Sequence, residues 1–187
     1  MNIRLMGLMA AMAIGCSAGA DAQPNPTSVY TDIAGKSCQK SVDDKVCGAY
    51  TLTCPGVGKY RLHILDDDGR NSIDIVSPDA RIFSLNYWDV VTPGFSTLGK
   101  KAEWRVANIA GKSVPVALIV RLSVMDQSDP ERPKRRAVLV VARIGKDTAC
   151  VVDVVDAASA AANAAARAAA DRPAQACLKS VAPWSVR

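Results

Sequence analysis

The stretch YRLHILDDDGRNSIDIV, Tyr60 to Val76, decides how the rest of the chain is read. In Tyr60–Leu65, alternation puts Tyr60, Leu62 and Ile64 on one face and Arg61, His63 and Leu65 on the other. Ser72–Val76 alternates again. Between them Asp66-Asp67-Asp68-Gly69-Arg70-Asn71 supplies turn chemistry: glycine takes positive φ without a steric cost, and aspartate tolerates it. Two alternating runs joined by such a cluster predict a β-hairpin.

The same pattern recurs on either side. Val46–Cys54 reads as a strand, and so does Arg81–Tyr87. Glu103–Ile109, Ala110-Gly111-Lys112 and Val114–Met125 read as a second hairpin, with Pro115 expected near a strand start or on an edge. Ala137–Ile144, Gly145-Lys146-Asp147 and Thr148–Val155 read as a third. About seven or eight strands at this spacing predict an antiparallel sandwich or small barrel. The exception is Asp156–Asp171, where 11 of 16 residues are alanine. Alanine is the best helix former, Asp156 is the expected N-cap and Pro173 the stop. The fold class is therefore α+β: mainly antiparallel β with one Ala-rich C-terminal helix lying on the sheet. The expected divisions are a signal peptide (1–22), an extended segment (23–45), a β domain (46–155) and a packed helix with its tail (156–187).

The first of these divisions sets the compartment. Arg4 precedes the apolar run Leu5–Gly15, which is too short for a ~30 Å hydrocarbon core but suits a signal sequence. Ala20-Asp21-Ala22 is the expected cleavage frame, releasing Gln23. Ala18-Gly19-Ala20 competes with it, and a lipoprotein-type frame, Ala13-Ile14-Gly15, would lead to acylation of Cys16. No transmembrane segment follows, so a periplasmic or secreted protein is expected, with a lipid anchor as the variant.

Six cysteines in an exported chain read as disulfides. From Cys150 a strand to Val155 covers about 17 Å. The alanine helix covers about 24 Å. If the helix folds back, Cys177 returns to the level of Cys150 and a bridge would clamp helix to sheet. Cys47 and Cys54 are seven residues apart on one strand and point to opposite faces. That leaves Cys38–Cys54 or Cys38–Cys47. Cys38–Cys54 is preferred because Cys54 directly precedes the turn Pro55-Gly56, which makes Cys47 the odd thiol. No C-x₂-C pair supports zinc. The run Asp66–Gly69 lacks the alternating ligands and closing glutamate of an EF-hand. Neither a metal nor a cofactor is expected.

The formal net charge of +5 is local. Residues 100–143 hold 10 basic and 4 acidic groups, and residues 23–99 hold 7 and 9. The basicity peaks in the loop Asp126–Arg136, at Arg132, Lys134, Arg135 and Arg136. Five of the nine aromatic residues fall between Phe83 and Trp104. Trp104 is expected in the core. The loop Asp89–Lys101 carries Phe95 as its exposed tip, between Trp88 and the pair Lys100 and Lys101. Aromatic residues beside cations compose a recognition surface. An exported protein rarely meets nucleic acid, so the expected partner is an anionic envelope component or a protein.

Enzyme signatures are missing: the chain has no G-x-S-x-G, Walker loop, G-x-G-x-x-G or H-E-x-x-H. With one histidine, a multi-histidine site is excluded. Cys47 with His63 is the only thiol–base pairing on offer, and it would need ~3 Å contact. A non-enzymatic binding or structural module of the cell envelope is the leading expectation. An inhibitor of an envelope or host hydrolase, acting through the Phe95 loop, is the alternative, and a hydrolase comes third.

Ser28–Cys38 (SVYTDIAGKSC), Cys54–Tyr60 (CPGVGKY) and Asn86–Val106 (NYWDVVTPGFSTLGKKAEWRV) resemble a group of bacterial secreted or periplasmic proteins of unknown function. The resemblance covers most of the chain after the leader. It implies an exported β-rich domain and brings no activity, cofactor or site residue.

Overall fold

The structure is a computed structural model and describes residues 25–42, 48–126, 129, 131–173 and 175–181. Ten strands form two five-stranded antiparallel sheets. The first contains β1 (Thr27–Asp32), β7 (Ser96–Ile109), β8 (Lys112–Asp126), β9 (Lys134–Ile144) and β10 (Ala149–Asp156), in the order β1-β7-β8-β9-β10. The second runs in chain order through β2 (Gln39–Val42), β3 (Tyr50–Pro55), β4 (Arg61–Asp67), β5 (Arg70–Val76) and β6 (Ile82–Ser84). Among the described residues, two α-helices, α1 (Tyr87–Val90) and α2 (Ala162–Asp171), and a single 3-10 turn, Gly35–Ser37, complete the fold.

The opening hairpin is β4–β5, closed by Asp68 and Gly69, both at positive φ (53° and 69°). Two left-handed central residues match the twist of the flanking strands. Its cross-strand pairs Leu62↔Ile75 and Ile64↔Ile73 are all buried, while His63↔Asp74 lies on the opposite face. The buried pairs meet Leu118, Leu122 and Val140 of the first sheet, so the core is the space between the sheets.

The β7–β8 hairpin uses the same turn, with Ala110 at φ 50° and Gly111 at φ 77°. Alanine has no side chain to offset the left-handed penalty. Ala110→Gly is therefore expected to stabilise the protein by about 0.5–1 kcal/mol in urea denaturation.

Pro115 sits where β8 already pairs with β7 but not yet with β9, at a bulge that leaves Val116 as the extra residue. A strand residue without an N–H is tolerated there.

The strand count exceeds the expected seven or eight because the segment 23–45 contributes β1 and β2, one to each sheet. Three other expectations shift. Arg81–Tyr87 shortens to β6, because Asn86 takes the left-handed conformation (φ 49°) and turns the chain into α1. Lys100 and Lys101 lie on β7 rather than in a loop, and Lys134, Arg135 and Arg136 lie on β9. Asp156 does not cap α2. Its carboxylate accepts the Ala158 N–H (2.9 Å) and an Arg136 Nη2–H (3.0 Å). Ser159 accepts the Ala161 N–H with its hydroxyl and the Ala162 N–H with its carbonyl. These local side-chain bonds compete with helix, which starts only at Ala162.

Both expected bridges are present. Cys38–Cys54 has a Cα–Cα distance of 4.3 Å and joins β3 to the chain before β2. Cys150–Cys177 has one of 5.6 Å and ties the chain after α2 to β10. With separations of 16 and 27 residues, each stabilises by about 3–4 kcal/mol through the unfolded chain. Cys16 and Cys47 lie outside the described residues. Two disulfides fit an oxidising, extracytoplasmic setting. No described helix is long and apolar enough to cross a membrane.

Candidate functional site

The outer face of the first sheet is covered unequally. Alternation along β8 points Ala117, Ile119, Arg121, Ser123 and Met125 outward. α2 covers one half of that face, where its Ala162, Ala166, Ala169 and Ala170 lie on Ala117, Ile119, Leu139 and Val141. Small alanines let the helix approach the sheet closely.

Two guanidinium groups hold it there. Buried Arg105 donates Nε–H to Asp171 Oδ1 (2.9 Å) and Nη2–H to Asp171 Oδ2 (2.6 Å). It also bonds Ser28 Oγ (2.6 Å) and the Pro26 carbonyl. Arg167 donates to Glu103 Oε1 (2.6 Å) and to the Tyr30 hydroxyl (2.8 Å). Burial works to raise the Glu103 carboxyl, but bonds from Arg167 and Ser28 and the Arg167 charge prevail and hold it below the usual range.

Beyond the N-terminal end of α2 the other half of the face is bare and basic. Exposed Arg121 pairs with Leu139 on one side. On the other, the β7 register steps from Leu98↔Leu122 to Ala102↔Val120, so Gly99, Lys100 and Lys101 oppose Arg121 alone. Gly99 suits this bulge because a Cβ there would lie 3.3 Å from Arg121 Cβ and 3.4 Å from its carbonyl oxygen. The bulge brings two lysines beside the arginine, over a groove of about 310 Å³ that Tyr30, Ile119, Leu139, Asn163 and the Arg167-paired Glu103 also line. Lys101 is paired with Asp32 (2.9 Å). Among the described residues, the Lys100 and Arg121 side chains have no hydrogen bond or ion pair.

Phe95 and Arg135 border the same face. Phe95 is 54% exposed. Its carbonyl accepts the Met125 N–H (3.0 Å), and the next residue, Ser96, donates to the Gly69 carbonyl (3.0 Å). Met125 in turn pairs with exposed Arg135, which puts Phe95 and Arg135 two strand spacings apart, about 10 Å.

Of the residues expected to bind, Lys100, Lys101 and Arg135 thus share one face, while Phe95 sits at its rim with its ring against Gly69 of the β4–β5 turn. The others do not join them. Trp88 is half-buried and donates its indole N–H to the Arg70 carbonyl (3.2 Å), fixing α1 against β5. Arg132 pairs with Asp129 (3.2 Å). Arg136 joins Asp126 (3.4 Å) and Asp156 (3.0 Å), tying together the ends of β8, β9 and β10. Exposed Lys134 sits opposite Asp126 at the start of β9. Sequence reasoning missed Arg121 and Tyr30. Its available signal was a single charge inside the apolar run Val114–Met125, on the face that alternation shares with Ala117 and Ile119.

His63 is half-buried between Thr53 and Asp74 on the outer face of the second sheet. Among the described residues no group of three or more His, Cys, Asp or Glu could hold a metal ion.

Fold and site together define a disulfide-linked, two-sheet β domain whose principal sheet has one face half helix-covered and half basic. The chain matches no protein-family model, no curated protein and no solved structure.

Proposed function

We propose that this is an exported, non-enzymatic binding module of the cell envelope, whose bare half-face takes an anionic, phosphate-bearing envelope component. The observation that carries the reading is the convergence of Lys100 and Arg121, cations without partners among the described residues, on one groove. Exposed Arg135 extends the same surface, and exposed Phe95 sits at its rim beside the β4–β5 turn. Cations near a charged headgroup layer contribute about 1 kcal/mol each, and an exposed aromatic ring beside them has an apolar surface to bury. The leader and the two disulfides support a periplasmic or secreted location, with lipidation at Cys16 as its variant.

Co-sedimentation with phosphatidylglycerol vesicles tests the reading. The triple variant Lys100→Ala, Arg121→Ala, Arg135→Ala is expected to bind about a hundredfold more weakly, and wild-type binding is expected to fall with salt. Equal binding to phosphatidylcholine vesicles, or an unchanged triple variant, would overturn it. Capture of an acidic protein in place of lipid would redirect it to a protein partner.

The alternative, an inhibitor of an envelope or host hydrolase, has one observation in its favour. Phe95 projects from a backbone held by hydrogen bonds on both sides, the preorganisation an inhibitory loop needs. Assays against lysozymes and proteases separate the two readings.

A further inference from the structure

At the other end of the same sheet face, beneath the C-terminus of α2, lies a cleft of about 570 Å³. It is lined by apolar Ile109, Val116 and Pro173 and by polar Asn25 and Asn108, while Ile144 turns its side chain into the core between the sheets. Ile109, at the end of β7, is 43% exposed there, and Val116 is the unpaired residue of the β8 bulge, which opens the wall.

Three charged residues face this space, and two are already engaged. Asp171 is held by Arg105, and Arg172 donates to Asp153 (2.9 Å). The third is Arg143, partly buried on β9, and among the described residues its guanidinium makes no hydrogen bond or ion pair. Its guanidinium fork is therefore uncommitted to any protein group at the edge of the cleft.

We infer that this cleft binds a small amphipathic carboxylate: an apolar body against Ile109, Val116 and Pro173, with one acid group on Arg143. The volume lies in the range of small-molecule sites, which combine apolar walls with a few placed polar groups. A planar guanidinium matches a carboxylate through two parallel N–H···O bonds. One free cation suits a monoanion, since a phosphate dianion would need a second. The negative end of α2 opposes an anion, but by less than a charge-assisted hydrogen bond favours it. Arg143 pairs with Ala117, four residues along β8 from Arg121, so the cleft lies about 13 Å from the basic groove with α2 between them. The inference does not depend on what that groove binds.

Octanoate and its uncharged counterpart octanol, titrated into the full chain by calorimetry and amide chemical shifts, test the site. Octanoate is expected to bind at least about tenfold more tightly than octanol and to shift the amides of Ala107, Asn108 and Ala170. Arg143→Gln should weaken octanoate by about tenfold to a hundredfold and leave octanol unchanged. Arg143→Lys should retain part of the affinity, having the charge without the fork. Arg121→Gln should have no effect. The site is overturned if octanoate does not bind, if octanol binds as well, if Arg143→Gln binds like wild type, or if the shifts centre on Arg121.

Discussion

Trp104→Ala is expected to cost about 4 kcal/mol, near the middle of the range for truncating a buried large aromatic residue. Trp104 is fully buried on β7 and reaches across to the second sheet. Its indole N–H donates to Thr31 Oγ1 (2.9 Å), which keeps its one polar atom satisfied. Its ring lies 6.1 Å from that of Tyr60, tilted by 58°. Gly56 passes directly beneath it: a Cβ there would sit 2.7 Å from the ring's Cζ2 and 2.9 Å from the Tyr60 carbonyl oxygen. The backbone between β3 and β4 is thus fitted to the indole, so truncating the ring leaves a cavity between the sheets. Urea denaturation should show a lower midpoint with an unchanged slope. A loss below about 1 kcal/mol would mean that the sheets close without the wedge.

The second large effect is expected at Arg105. Arg105→Leu should cost about 3 kcal/mol, because the Asp171 carboxylate and the Pro26 carbonyl lose their donor in a mostly dry setting. Asp171 is 25% exposed, so water recovers part of the loss. Arg105 links α2 to the start of β1, and so the damage should be local. Amide exchange along α2 should accelerate while the β4–β5 hairpin keeps its protection. Arg105→Leu combined with Asp171→Leu should recover most of the loss, since replacing both partners of a buried pair is commonly neutral. A double variant as weak as the single one would show that the ion pair does more than cancel its own desolvation.

Most of the scaffold was legible because local chemistry and periodicity agreed. Asp68-Gly69 and Ala110-Gly111 fall between alternating runs and close their hairpins through two left-handed residues. Cys150–Cys177 followed from reach, and Cys38–Cys54 from the place of Cys54 directly before the turn Pro55-Gly56, once strand alternation had set Cys47 and Cys54 on opposite faces. Where context outranked local preference, reading failed. Tyr87 and Trp88 are strand formers by type, yet they begin α1, because Asn86 reverses the backbone and Trp88 finds its partner on β5. The start of α2 was misplaced because the turn bonds at Asp156 and Ser159 compete with an otherwise uniform alanine run.

The candidate surface was only half legible. Charge density along the chain drew attention to Arg132 and Arg136, but charge says nothing of pairing, and both have acidic neighbours in the fold. Arg121 is isolated in sequence. It becomes part of a cluster only through the bulge at Gly99–Lys101, a register event that alternation does not foretell.

The alanine helix has a consequence for the order in which the molecule comes apart. It meets the sheet through small alanine side chains, and its attachments are three ion pairs, Arg105–Asp171, Arg167–Glu103 and Arg172–Asp153, and one covalent tether. The sandwich core does not draw on it. Acid strong enough to protonate Glu103, whose carboxyl is held below the usual range, should therefore peel α2 away first, leaving a folded, leashed intermediate. That intermediate would present Ile119, Leu139 and Val141 as a greasy stripe on a flat sheet, directly beside a row of positive charge. A stripe of that kind invites stacking between copies. The cations left bare on the neighbouring half-face would then serve as gatekeepers, keeping such partly opened molecules apart by mutual repulsion.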